Sequence, residues 1–375
     1  MSVNEKDASD VRRMRRRILR WLPLPLIWPA WTRGAERTAP PTQYPQVTPG
    51  YRVRFPEDEG SHPAFRTEWW YITGWLEPRS RPPLGFQVTF FRTRPETDPR
   101  NPSAFTPHQL IIAHAALSDA ARGKLVHDQK LARAGLTLAG AAEGRTQVWI
   151  DDWKLEQVDA AYRIHLPARE FTLALDLTAE QPPLLQGEEG YSRKGPRPES
   201  ASYYYSIPHL RVVGELGEGG KRIPVSGTAW LDHEWSSSYM DARATGWDWI
   251  GINLDDRGAL MLFRMRDAMG GTFWAGGALR SASGARQTFA PADVSMTPLR
   301  SWRSPRTGTS YPVAWRVRAG ALTLDIQPLM DDQEHDTRLS VGTVYWEGAV
   351  TASIDGRSVG RGYLELTGYW KPMKL

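Results

Sequence analysis

Three consecutive residues, Asp232, His233 and Glu234, are the strongest candidates for chemistry in this sequence. They lie between Trp230-Leu231 and Trp235, and aromatic neighbours of this kind favour a strand. Strand side chains alternate between faces, so Trp230, Asp232 and Glu234 share one face and Leu231, His233 and Trp235 the other. Carboxyls at i and i+2 stand about 6–7 Å apart. Buried together, they raise one another's proton affinity and leave an un-ionised acid beside an ionised one. That arrangement suits acid–base work on a neutral substrate. Two plainer readings stand beside it. The face is solvated and the pair does nothing, or the acids brace the fold by accepting hydrogen bonds from backbone and indole N–H groups.

A similar run, Glu68-Trp69-Trp70-Tyr71-Ile72-Thr73-Gly74-Trp75, occurs earlier, and Thr245-Gly246-Trp247-Asp248-Trp249 follows the first candidate segment. Both runs begin with Glu-Trp and soon reach Thr-Gly-Trp, which suggests a duplicated β-domain. Tyr203, Tyr204 and Tyr205 add three phenols. Aromatic walls around a few polar groups describe an apolar-ligand pocket, and the candidate ligand-binding residues are Glu68, Trp70, His114, Tyr204, Trp235, Trp247 and Asp248. Aromatic girders braced by acids are the structural alternative.

Other chemistries find little support. His233-Glu234 lacks the second histidine of a zinc helix motif. His108 and His114 share a strand face without an obvious third ligand. Ser236-Ser237-Ser238 lies outside any Gly-x-Ser-x-Gly elbow. Neither a metal nor a cofactor is expected.

The elements that must position these residues are strands. Gly 33 and Pro 29 suit short strands joined by turns. β-like runs succeed one another from Glu68–Leu76 to Gly362–Trp370, with turn signals such as Asp255-Asp256-Arg257-Gly258. Two groups of roughly eight strands predict an all-β fold of two antiparallel barrels, with sandwiches as the rival. The expected division is 1–50 for leader and linker, 51–238 for the first barrel and 239–375 for the second. The polar stretch Gln186–Ala201 reads as a lid or, more plainly, as a solvated loop.

Composition limits the partners. Residues 1–40 carry nine Lys/Arg and four Asp/Glu, which accounts for the whole net charge of +5. The remainder is neutral, so nucleic acid is not an expected partner. Six arginines within Arg12–Arg20, followed by the apolar Trp21–Trp31, read as an export signal of twin-arginine type, with a basic tail as the alternative. The expected location is the periplasm or cell envelope. The chain has no cysteine, which excludes disulfides and a lipidated cysteine.

Several motifs in order resemble the AttH-like/carotenoid 1,2-hydratase (CrtC) family, often labelled secreted hydrolases. They are Phe55–Pro63, Phe65–Tyr71, Ala113–Asp119, Ser192–Gly195, Ser202–Ser206, Trp230–Ser237 and Gly246–Trp249. The resemblance implies tandem lipocalin-like barrels, export, and association with an ABC-transporter system. It also implies a His-x-Trp site pair at His233 and Trp235. The acid that the hydratases carry on a later strand has no counterpart in the apolar Leu260–Arg264 stretch. The functional expectation is an exported binder of an apolar isoprenoid or lipid. Cofactor-free hydration of a C=C bond and a transporter accessory subunit are the alternatives.

Overall fold

The computed structural model describes residues 44–97, 101–103 and 105–373. The arginine-rich leader, with its export reading, lies outside them. Pro41–Leu375 forms one compact unit. Apart from two single 3₁₀ turns, Glu57–Glu59 and Pro291–Asp293, every described element is a strand. No helix among the described residues is long and apolar enough to cross a membrane.

The strands form two antiparallel sheets, of thirteen strands between Thr67 and Ser236 and of ten between Gly246 and Leu366. Both follow one plan. The first strand of each sheet (Thr67–Pro78, Gly246–Leu254) is hydrogen-bonded on one side to the second strand. On its other side lies the last strand (Lys221–Ser236, Arg357–Leu366). Each sheet curls until its ends approach. Leu110–Ser118 lies near Gln147–Ile150 in the first, and Thr272–Arg280 near Val294–Arg303 in the second. The fold is all-β and lipocalin-like, with more strands per sheet than the eight expected.

Period-two alternation sorts the side chains into three cores. Trp70, Ile72, Phe86, Val88 and Trp235 fill the first barrel. Ile250, Ile252, Trp315, Trp346 and Leu364 fill the second. The outward faces of the first strands and their neighbours meet between the barrels, where Tyr71, Trp75, Tyr204, Trp230, Trp249 and Phe263 form a third core. Thr67–Pro78 therefore buries both faces, which explains its aromatic residues at odd and even positions alike. Gly85 permits the close approach of the barrels. A Cβ there would stand 2.5 Å from the Cβ of Ala349 and 2.6 Å from the Tyr363 hydroxyl.

The two Glu-Trp runs are neighbours, not repeats. Glu68–Pro78 pairs antiparallel with Val225–Trp235, setting Glu68 opposite Trp235 and Trp70 opposite His233. By topology the counterpart of Thr67–Pro78 is Gly246–Leu254. The internal correspondence is Glu68 opposite Arg92 in the first barrel and Asp248 opposite Arg264 in the second.

Candidate active site

The register of three strands decides what each face presents. Asp232 lies opposite Tyr71 and Ser206, and Glu234 opposite Trp69 and Tyr204. These residues face the second barrel. His233 lies opposite Trp70 and Tyr205 and faces into the first barrel.

The outward face closes one side of a cavity of about 450 Å³ between the barrels. Its apolar wall includes Trp69, Phe91, Ile112, Trp247, Trp249 and Phe263, and four carboxyls enter it, from Asp232, Glu234, Glu347 and Glu365. Asp232 is held by Ser206 Oγ at 2.5 Å, Tyr204 OH at 2.6 Å and Trp230 Nε1 at 2.7 Å, all donating to it. The two hydroxyls are themselves oriented by donors: Gln186 Nε2 to Ser206 at 2.8 Å, and Trp249 Nε1 to Tyr204 at 3.0 Å. Burial raises the proton affinity of Asp232 more than these bonds lower it, and its pKa is pushed up to about 7. Glu234 accepts a bond from Ser202 and pairs with Lys194 at 3.0 Å. The Lys194 ammonium lies over the rings of Tyr204 and Phe263, 4.6 and 4.3 Å from their centroids.

From the second barrel, Glu347 and Glu365 stand directly opposite one another on adjacent strands. Burial, and for Glu347 the neighbouring Glu365 charge, holds the Glu347 carboxyl well above the usual range. Glu365 accepts a bond from Trp247 Nε1 at 2.8 Å, yet burial and the carboxylates nearby push it up to about 7. His114 bonds to Tyr345 OH and Ser340 Oγ at 3.0 and 2.9 Å, and burial drives its pKa down to about 3, so its ring is neutral. The cavity thus joins aromatic walls to carboxyls that hold or release protons near neutral pH, the requirement for acid–base catalysis in an apolar site.

The inward face holds a closed ionic network. Glu68 accepts from His62 Nδ1 at 2.7 Å, His233 Nε2 at 2.9 Å and Arg92 Nε at 2.8 Å. His62 Nε2 reaches Asp58 at 3.2 Å, and His233 Nδ1 reaches Tyr205 OH at 3.0 Å. Burial opposes ionisation of Glu68, but the imidazole bonds and the Arg92 charge hold its pKa well below the usual range. The same carboxylates raise His62 against its burial, whereas burial lowers His233. His62, Glu68 and His233 offer ligand atoms within 4.8 Å of one another, a donor set that suits a divalent cation. Arg92 and the His62 ring already engage Glu68, and His62 also engages Asp58. Each donor atom has a protein partner, so the arrangement works as a brace. It pins the segment Asp58–Phe65 to the barrel, with the His62 ring stacked on Trp235 at 3.8 Å. In the second barrel, Asp248 bonds Arg264 and Arg266 at 2.5 and 3.1 Å in the corresponding place.

The AttH-like family profile matches residues 46–369. The chain belongs to the AttH-like family. Among solved structures, this AttH-like protein is similar to one from Nitrosomonas europaea provisionally described as an AttH. The two share 56% identity, with 87% of this chain and 99% of that chain covered and a TM-score of 0.82. Kievitone hydratase from Nectria haematococca shares the fold at 13% identity, with 88% and 98% covered and a TM-score of 0.64. No curated protein matches the sequence.

The structure divides the residues singled out from the sequence. Asp232, Glu234, His114, Tyr204 and Trp247 line the cavity of this AttH-like protein. His233, Glu68, Trp70, Trp235 and Asp248 do not: alternation turns them into the barrel interiors. His233 is therefore separated from its chain neighbours Asp232 and Glu234 by the strand itself. Sequence reasoning missed Trp69, Tyr71, Glu347 and Glu365. For the first two a signal was present, since antiparallel pairing of the two Glu-Trp runs puts Trp69 and Tyr71 on the face of Asp232 and Glu234. Glu347 and Glu365 lie more than a hundred residues away, and only the packing of the second barrel against the first delivers them. The polar stretch Gln186–Ala201 is not a solvated loop throughout. Gln186 and Lys194 are buried and bond the site.

Proposed function

We propose that this AttH-like protein binds an apolar molecule in the cleft between its barrels. The observation that carries the reading is the cavity itself, with its aromatic wall and a small set of convergent polar groups. N-phenyl-1-naphthylamine, a neutral dye that brightens in apolar surroundings, tests it. Saturable binding in the wild type, weakened by Ile112→Trp, supports the reading. No saturable binding refutes it.

A second reading, acid-catalysed hydration of a C=C bond, is favoured by Asp232. In its protonated form Asp232 would deliver a proton to one alkene carbon. Water would add to the cation on the other carbon and return a proton to the carboxylate, leaving the enzyme unchanged. The Tyr204 and Trp249 faces would stabilise the cation. The name of kievitone hydratase, a fold relative, fits this reading. Incubation with a dimethylallyl-ended isoprenoid in heavy-oxygen water tests it: labelled alcohol from the wild type but not from Asp232→Asn supports it, and unlabelled substrate throughout removes it. The arginine-rich leader supports export. Fractionation of cells carrying Arg15 and Arg16 as lysines is expected to show the protein retained inside.

A further inference from the structure

We infer that the cleft selects an uncharged ligand with a hydroxyl or carbonyl head group, received by Tyr71 and Glu347, and discriminates against lipids with an anionic head. The inference rests on the cleft being a ligand site.

Two observations carry it. The first is a pair of unfilled polar atoms. The Tyr71 hydroxyl and Glu347 Oε1 are buried and line the cavity, and neither makes a well-formed hydrogen bond in the protein. Burial first, then the Glu347 charge and a loose contact between the two groups, hold the Tyr71 phenol protonated. Buried polar atoms are rarely left unpaired, because an unpartnered one keeps its full desolvation penalty. A phenol that donates beside a carboxyl that donates or accepts matches an alcohol or a carbonyl, which presents the complementary lone pairs or O–H.

The second observation is the charge of the lining. Four carboxyls face the cavity. The Lys194 ammonium is engaged by Glu234 and Ser192, each at 3.0 Å. Arg66, the other cation of the lining, is partly exposed and pairs with Glu96 at 3.7 Å. His114 is neutral and already bonded through both ring nitrogens. An incoming carboxylate, sulfonate or phosphate would find the buried cation, Lys194, engaged and would meet Glu347 and Glu365 in a desolvated site. Protonation of those carboxyls relieves repulsion but supplies no counter-charge. An anion buried without a counter-charge loses its hydration uncompensated, and any carboxyl that is ionised adds repulsion to that cost.

The test compares ligands that differ in one group, in the full chain near neutral pH. N-phenyl-1-naphthylamine and 8-anilino-1-naphthalenesulfonate share a ring system, and only the second is an anion. The neutral dye should bind at least about tenfold more tightly, and farnesol should displace it at least about tenfold better than farnesoic acid. In Glu365→Gln the sulfonate should gain affinity, by about threefold or more. Tyr71→Phe should weaken farnesol by roughly two- to tenfold relative to the neutral dye, the loss of one hydrogen bond. If the neutral dye does not bind at all, the cleft is not an apolar site and the reading beneath the inference fails. If it binds but the sulfonate and farnesoic acid bind as well as their neutral partners, the cleft is a site and the head-group inference is wrong.

Discussion

Replacing Arg92 with methionine isolates the brace that pins Asp58–Phe65 to the first barrel. In the wild type, Arg92 Nε donates to Glu68 Oε2 at 2.8 Å, and Nη2 donates to the carbonyls of His62 and Phe65 at 2.9 and 3.0 Å. Arg92 and Glu68 are both wholly buried. Methionine fills most of the volume but leaves Glu68 a buried carboxylate without its permanent counter-charge. Removing one partner of a buried pair costs about 3–5 kcal/mol. Taking an unfolding entropy of about 2.1 cal/mol/K per residue over Pro41–Leu375 gives roughly 0.7 kcal/mol/K. Arg92→Met should therefore lower Tm by about 4–7 °C in a reversible melt. The pH dependence has a definite sign. Folding depresses the pKa of Glu68 from its ordinary 4.5, so its stabilisation is present above that value and is lost as pH falls through the folded one. The difference between wild type and variant should thus be full near neutrality and shrink in acid. A cycle with Glu68→Gln should show coupling of at least about 1 kcal/mol. A variant that melts within about 1 °C of the wild type at neutral pH would refute the brace.

Other perturbations have equally definite outcomes. Glu365, with its folded pKa raised to about 7 from 4.5, costs stability as pH rises between those values. Glu365→Gln, which keeps an acceptor for Trp247, should therefore gain on the wild type by up to about 1.4 kcal/mol per pH unit across that window, measured by urea unfolding. Lys194→Met strands Glu234 and should destabilise by about 3–5 kcal/mol in the same assay. Gly85→Val drives a side chain into Ala349 and Tyr363 and should cost about 1–3 kcal/mol, with altered near-ultraviolet circular dichroism from the inter-barrel aromatics.

The fold was legible because strand alternation and turn residues are local signals. Asp255-Asp256-Arg257-Gly258, for example, is a turn between Gly246–Leu254 and Ala259–Arg266. The site was half legible. Asp232 and Glu234 were recognisable as a same-face pair. What the sequence leaves undetermined is which face of a doubly buried strand meets the ligand, because Trp and Tyr occupy both. For that reason His233 and Trp70 were grouped with residues that point away from them. Glu347 and Glu365 carry no local mark: the hairpin at Asp355-Gly356 sets them opposite one another on adjacent strands, but only the packing of the second barrel against the first brings that pair to the cleft. Lys194 was hidden by its setting in a polar, glycine- and proline-bearing stretch whose composition suggests solvent.

Native mass spectrometry with organic extraction, on protein purified gently from its native host, tests the cleft most directly. The account predicts a neutral, apolar adduct that solvent releases from the wild type and that is depleted from Ile112→Trp. A wild type that carries no adduct and also fails to take up N-phenyl-1-naphthylamine would contradict it.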